Sequence, residues 1–423
     1  MNRRVVITGI GVVTPFGCQV EGLWQALQTG RSAAQTLEPM EGSAGRPFLG
    51  APVTGFSPDA YVDAKSLRLM APAVAFGVAA AQLAAADSGL AFHELDPGRV
   101  GAFVGSRGHS SERRDLLPAV RRATEGGAFR LSTFGSEGLP LVHPMWLLKG
   151  LANNVLYFLS LKHNVQGMNN NISMGGVAGT MAIGEAFQTI QHGHVDVAFA
   201  GGYDSALDAD RIEMYRTSGL VTRSDDPARA SRPFDRRRDG FLPAEGAGFL
   251  VLETIDSARG RGAGIYGEVL GYGCAGPAAS LANLGPSALG FAGALAAAVA
   301  AAEVVPDAVF AHGLATRASD LEETQALKTV LGARAPTIPA PALKSMIGNT
   351  FAASGPIEAA AALLALRDGL VPPTINLTQP DEACDLDYVP GTRARAMALR
   401  SVALNNANLG GAHAALVLGR IDG

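Results

Sequence analysis

Ser173-Met174-Gly175-Gly176, a small-residue helix predicted over 179–191, Gly193 and a strand predicted over 195–200 form a unit that has a counterpart later in the chain. There Ser345-Met346-Ile347-Gly348 precedes a second small-residue helix over 353–366, then Gly369 and the turn Pro372-Pro373. The openings also correspond: the β-rich run 5–11 starts the first part, and 265–273 reads as a second opening strand. Two related halves joined around 255–265 account for both length and symmetry. The alternative is a chance likeness between two Gly-rich turns. Short β-branched runs at 100–104 and 249–252 alternate with a helical stretch over 71–86, which predicts an α/β layered fold whose helices cover buried sheets.

The chain has 423 residues, 48% hydrophobic and only 17% charged, with 52 glycines. That profile excludes disorder, coiled coil and collagen, and a chain of this length divides into two units. A net charge of −4 offers no basic surface for nucleic acid. Cys18, Cys274 and Cys384 are odd in number and dispersed, so they make neither a disulfide framework nor a zinc site and point to a reducing, cytoplasmic setting. Arg3 and Arg4 before an apolar run imitate a signal peptide, but β-branching and Gly9 and Gly11 favour a buried strand. The uncharged stretch 288–302 is shorter than the roughly 20 residues a bilayer needs and reads as a buried helix. No membrane segment, metal or cofactor is expected.

Three motifs lead nowhere. Gly271-Tyr272-Gly273-Cys274-Ala275-Gly276 is a literal GxGxxG, but Pro277 follows at once and no acidic residue lies about 20 positions on to meet a ribose. His192 and His194 flank Gly193 where a helix should end, without further ligands nearby. Arg236-Arg237-Arg238 sits between Asp235 and Asp239 and reads as an ion-paired turn.

Seven blocks carry a resemblance: VVITGIGVVTPFG (5–17), AGG (200–202), SRPFDRRRDGFLPAEGAGFLVLE (231–253), AHG (311–313), KSMIGN (344–349), LALRDGLVPPTINL (364–377) and NLGGAH (408–413). In this order they resemble the condensing enzymes of the thiolase superfamily, specifically the β-ketoacyl-acyl carrier protein synthases of fatty acid and type II polyketide pathways. The resemblance implies a thiolase-like fold of two duplicated α-β-α-β-α halves in five layers, residues 1–256 and 257–423, and a tight two-fold dimer. It also implies a cysteine at a helix N-terminus that takes the acyl chain as a thioester. Two histidines that polarise a malonyl thioester for decarboxylation, and a supporting lysine, complete the implied machinery.

The carry-over then breaks. Counting back from Ile183-Gly184-Glu185-Ala186 and from Ala200-Gly201-Gly202, the nucleophile's place falls on Gly176. The first histidine is His312, within HGLAT where the family shows HGTST; the second histidine's place holds Asn349. Lys344, Asp320 and Glu323 match as supporting groups. Of the pantetheine-meeting threonines, one is Leu314 and the other remains as Thr316, while the aromatic gate of GFGGTN corresponds to Leu409. Coordinated change at 176, 314, 349 and 409 points to a chain that no longer condenses substrate.

Silent members resemble the chain-length factors, which pair with an active ketosynthase and shape its acyl tunnel. Gly176, where those factors tend to carry Gln, leaves room for polyene-type systems. The expected partners are therefore an active ketosynthase subunit in a heterodimer and, mainly through it, an acyl carrier protein. The stretch 164–173 is expected to pair across the two-fold, with Asn169, Asn170 and Asn171 either buried and partnered or on a solvated edge. The apolar helical-looking stretch 145–159, with Met145, Trp146, Leu148 and Leu151, is expected to line tunnel or interface, against ordinary core packing. The other reading is a stand-alone homodimeric acyltransferase using Ser173 or another non-standard nucleophile. A carrier-binding scaffold without chemistry is a third.

Overall fold

The computed structural model describes residues 3–39, 45–108, 113–277 and 285–421. Nine strands make one mixed sheet: β1 (Val5–Val13), β2 (Val100–Ser106), β3 (Asn169–Ser173), β4 (Val197–Ser205), β5 (Glu245–Thr254), β6 (Gly267–Ala275), β7 (Ala308–Phe310), β8 (Ser401–Ala407) and β9 (His413–Gly419). Their spatial order is β3-β2-β4-β5-β1-β6-β9-β8-β7. The first five in that order form one half and the last four the other. Within the sheet the halves are joined through Val6↔Glu268 and Ile7↔Gly267, reinforced by Arg4, whose guanidinium donates twice to Glu268 at 2.9 and 2.5 Å.

Five helices complete the layers: α1 (Pro72–Ser88), α2 (Ala178–Gln191), α3 (Ala288–Ala302), α4 (Arg317–Leu331) and α5 (Ser354–Asp368). Strand alternation decides which face meets which helix. Leu250, Leu252, Val402, Leu404, Leu416 and Leu418 join α2 and α5 in a central core. Phe249 and Val251 face α1 on one outer side, and Ala403, Ala415 and Val417 face α3 and α4 on the other. The result is the α-β-α-β-α sandwich expected of the thiolase-like fold.

Glycine lets the outer helices close on the strands, and in the same way in both halves. A Cβ on Gly11 of β1 would sit 1.9 Å from the Ala80 carbonyl oxygen of α1; one on Gly271 of β6 would sit 2.1 Å from the Ala298 carbonyl oxygen of α3. The GxGxxG match is therefore a packing device. The repeat itself runs in a different register from the one the Ser-Met motifs suggest. Gly175 and Phe351 both take left-handed backbone (φ 56° and 49°) before a helix, and Gly193 and Gly369 both end one (φ 80° and 64°). That constant offset aligns α2 with α5 and leaves Ser345-Met346 outside the correspondence, inside a short turn of helix over Lys344–Ile347.

Two sequence expectations need correction. The pairing strand starts at Asn169 and not at 164, because Asn164 ends the helix Asn154–His163 in left-handed backbone (φ 52°). The stretch 145–159 is not one helix: Trp146–Lys149 stops at Gly150, and Asn154 starts the next, its amide bonding to the Leu148 carbonyl oxygen at 2.7 Å. Among the described residues no helix is long and apolar enough to cross a membrane.

Gly271→Ala should destabilise the fold by about 1–3 kcal/mol or more, since its methyl meets backbone that cannot yield. Gly276→Ala, which meets nothing within 4 Å, should stay within about 0.5 kcal/mol. Urea unfolding of the pair measures the contrast; equal midpoints would refute the packing account.

Candidate functional site

The first turns of α2 and α5 interlock because each sets a glycine against the other, Gly179 against Pro356 and Gly355 against Thr180. A Cβ on Gly179 would lie 2.2 Å from the Ala352 carbonyl oxygen, and one on Gly355 would lie 2.0 Å from Thr180 Oγ1. This brings the Gly176 elbow beside the segment that carries Asn349. Strand β8 runs past both, and the loop after it, Asn408–Ala412, closes over the elbow.

Gly176 is buried and offers no side chain. Its backbone N–H donates to Asn408 Oδ1 at 2.9 Å. His312 follows β7, and its Nδ1 accepts the Ala407 N–H at 3.3 Å, which places the ring proton on Nε2. Burial, then the nearby Lys344 charge, hold this imidazole well below its ordinary range, so it is neutral. Asn349 is buried and turned back on its own chain: Oδ1 accepts the Phe351 N–H at 3.1 Å. An amide there donates and accepts hydrogen bonds but takes up no proton.

Lys344, Asp320 and Glu323 are all buried. Lys344 Nζ donates to Glu358 Oε1 at 2.6 Å, Asn406 Nδ2 donates to Glu358 Oε2 at 2.6 Å, and Thr180 Oγ1 donates to Asn406 Oδ1 at 2.7 Å. Glu323 accepts the His312 and Gly313 N–H groups at 2.7 and 2.9 Å. Burial pushes its carboxyl up to about 8 against those donors. Asp320 accepts the Phe234 and Ala315 N–H groups at 2.8 and 3.1 Å, and the Arg238 Nε lies 3.3 Å away. These carboxylates shape the loop that presents His312.

Leu314 and Leu409 do meet, in one apolar cluster with Tyr215, Val221, Phe241 and Phe351. Tyr215 stacks on Phe351 with ring centroids 5.4 Å apart, and Phe241 meets the same ring edge-on at 5.5 Å. The Arg107 guanidinium covers Phe351 at 4.7 Å and pairs with Asp204 at 2.7 Å. Thr316 is engaged elsewhere, its Oγ1 accepting the Ser319 N–H as the N-cap of α4. Beside Lys344 and Glu358 the remaining cavity is about 10 Å³, the volume of one water at most.

Ser173 lies exposed at the end of β3, and its hydroxyl accepts from the Asn171 amide at 3.2 Å. An amide cannot take the proton a nucleophilic serine must lose, so the geometry gives the serine reading no support. Asn169 and Asn170 sit on the solvated edge, the latter donating to Glu185 at 2.8 Å. Leu148 is 46% exposed and Met145, Trp146 and Leu151 are half-buried, so this segment is a surface of the chain and not its core. Sequence reasoning missed Asn408, Arg107, Tyr215 and Phe351. Asn408 was within reach: comparing NLGGAH with GFGGTN, which singled out Leu409, also sets an asparagine at the glycine one position earlier.

Comparison with known proteins agrees with this geometry. The beta-ketoacyl synthase N-terminal domain matches residues 2–258 and the beta-ketoacyl synthase C-terminal domain matches 266–378. The 3-oxoacyl-[acyl-carrier-protein] synthase 2 of Coxiella burnetii is 36% identical over 424 residues, covering 99% of each chain. The ishigamide ketosynthase/chain length factor superposes with a TM-score of 0.88 at 31% identity over 100% of both chains. A type II polyketide synthase acyl-carrier protein in complex with its ketosynthase, AntDE:AntF, gives 0.82 at 28%, also over 100% of both.

Lys344→Met should cost about 3–5 kcal/mol by stranding the Glu358 carboxylate, and Glu358→Gln in the same chain should return part of it. Urea midpoints of the two variants decide this; a Lys344→Met loss under 1 kcal/mol would contradict the network. His413 donates from Nδ1 to the Gly411 carbonyl oxygen at 2.9 Å and accepts the Ser287 N–H at Nε2. Burial holds it down to about 4. Because its folded value is depressed, it supplies stability above pH 6.5 that is lost as pH falls toward 4. Between pH 7.5 and 5 the loss should be about 2 kcal/mol, and His413→Gln should flatten the pH dependence of stability by that amount.

Proposed function

This chain belongs to the β-ketoacyl synthase family, and we propose that within it the chain is a non-catalytic, chain-length-factor-type subunit. It pairs with an active, cysteine-bearing β-ketoacyl-acyl carrier protein synthase in type II polyketide, polyene or fatty acid synthesis and shapes that partner's acyl tunnel. The observation that carries the reading is the elbow. Position 176 has no side chain to form a thioester, and the N–H that would face a thioester oxygen is already bonded to Asn408. The second histidine's replacement, Asn349, spends its oxygen on its own backbone.

Two further features support a partner. Leu148, Tyr157 and Leu161 (46%, 54% and 68% exposed) lie just before the edge strand β3, and Met168 and Met174 flank it, also exposed. Large apolar side chains gathered on a surface mark a protein interface. Among the described residues β3 is hydrogen-bonded on one side only, parallel to β2 from Ala102↔Asn169 to Ser106↔Ser173, so a strand from the partner can add to its other edge. A subunit seated there would lie beside the elbow that follows β3, which is where it could reach an acyl tunnel. The carrier protein would be met mainly through the active partner.

The test is co-expression with a cysteine-bearing ketosynthase, purification through a tag on this chain alone, and intact-mass measurement after incubation with acyl-loaded carrier protein. Acyl mass on the untagged partner only is the expected result; acyl mass on this chain would overturn the proposal. Replacing Leu148 and Leu161 together by Asp should reduce co-purified ketosynthase at least about tenfold, whereas Leu289→Asp, at a still more exposed position on α3, should not.

A further inference from the structure

We infer that Asn408 is the lock of the elbow: its side-chain amide holds the Gly176 N–H and the space beside it, so that a thiol restored at position 176 would remain unreactive until Asn408 is removed. The inference rests on the reading of Gly176 as the nucleophile's place. It goes beyond that reading by assigning the silence of the site to a second residue, 232 positions away in sequence.

The geometry is specific. Asn408 Oδ1 accepts the Gly176 N–H at 2.9 Å. The amide is held from behind by a closed turn, in which the Asn408 N–H donates to the Ala412 carbonyl oxygen at 2.8 Å and the Gly411 N–H donates to the Asn408 carbonyl oxygen at 3.2 Å. The amide also occupies the space a side chain would need at the neighbouring position. A Cβ on Gly175 would lie 2.4 Å from Oδ1 and 3.0 Å from Nδ2, so glycine at 175 is a condition of the lock. A Cβ on Gly176 would lie 3.7 Å from Oδ1, which brings an attached sulfur into direct competition with the amide oxygen.

The chemistry follows from what activates a thiol at a helix N-terminus. Unspent N–H groups and the helix dipole favour the thiolate, and the same N–H groups receive the oxyanion when a thioester forms or is attacked. An amide oxygen in that place satisfies the donor in advance and turns a lone pair toward the sulfur, which opposes the negative charge. The Asn408 side chain is thus a built-in substitute for a substrate oxygen, neutral and permanently attached.

The experiment compares three chains: Gly176→Cys, Gly176→Cys with Asn408→Ala, and Gly176→Cys with Asn408→Asp. Alkylation by iodoacetamide is followed by peptide mass spectrometry, which separates the new thiol at position 176 from Cys18, Cys274 and Cys384. The Ala double variant should alkylate at 176 at least about tenfold faster than the single variant, while the Asp double variant, which keeps an acceptor oxygen in place, should stay as slow. A single variant as fast as the Ala double, or an Asp double as fast as the Ala double, would overturn the inference. Should the added Cβ, 2.8 Å from the Ala407 carbonyl oxygen, prevent folding, Asn408→Ala alone decides. Hydrogen exchange of a peptide spanning 174–178 should then show one amide losing protection about tenfold, and unchanged exchange would count against the lock. Acyl transfer from a loaded carrier protein onto the unaltered chain would defeat the non-catalytic reading, whereas the alkylation comparison judges Asn408 independently of it.

Discussion

The contact between the first turns of α2 and α5 is the constraint from which the site is built. Two helices approach so closely only where side chains are missing, and Gly179 and Gly355 supply that absence from opposite halves of the chain. Gly105 and Gly202 extend the same close packing to β2 and β4, where a Cβ would lie 2.4 Å from Ala178 and 2.3 Å from the Ala352 carbonyl oxygen. The elbow, His312, Lys344 and Asn349 all hang from elements that this contact positions.

Around that centre a buried polar network surrounds an elbow whose position 176 carries no side chain. The buried chain from Lys344 through Glu358 and Asn406 to Thr180 links both halves and both central helices. A buried ion pair of this kind is costly to break, which gives Lys344 a structural role in its own right. His312 is held in the same spirit, neutral and bonded at both its backbone and its ring. Leu314 and Leu409 join the rings of Tyr215, Phe241 and Phe351 in one apolar cluster, with the Arg107 guanidinium over Phe351.

The surface tells a complementary story. Apolar groups that a single chain would bury are displayed beside the edge strand, on the flank next to the emptied elbow. On β3 the side chains of Asn170 and Asn169 bond within the chain, donating to Glu185 and to the Gly167 carbonyl oxygen.

The sequence by itself determined the layered α/β class, the duplicated halves, the helices over Pro72–Ser88 and Ala288–Ala302, the family and the absence of a side chain at Gly176. Each of these depends on local pattern or on motif order, which a linear reading carries. Tertiary structure alone decided the register of the repeat, because Gly175 and Phe351 share a backbone conformation and not a residue type. It alone divided 145–159 between the short turn Trp146–Lys149 and the start of the helix Asn154–His163, which buries Val155, Phe158 and Leu159, since hydrophobicity without a clear period does not say which side faces solvent. It alone joined Asn408 to Gly176 and Tyr215 to Phe351, contacts between segments far apart in sequence that appear only when the two halves fold against one another.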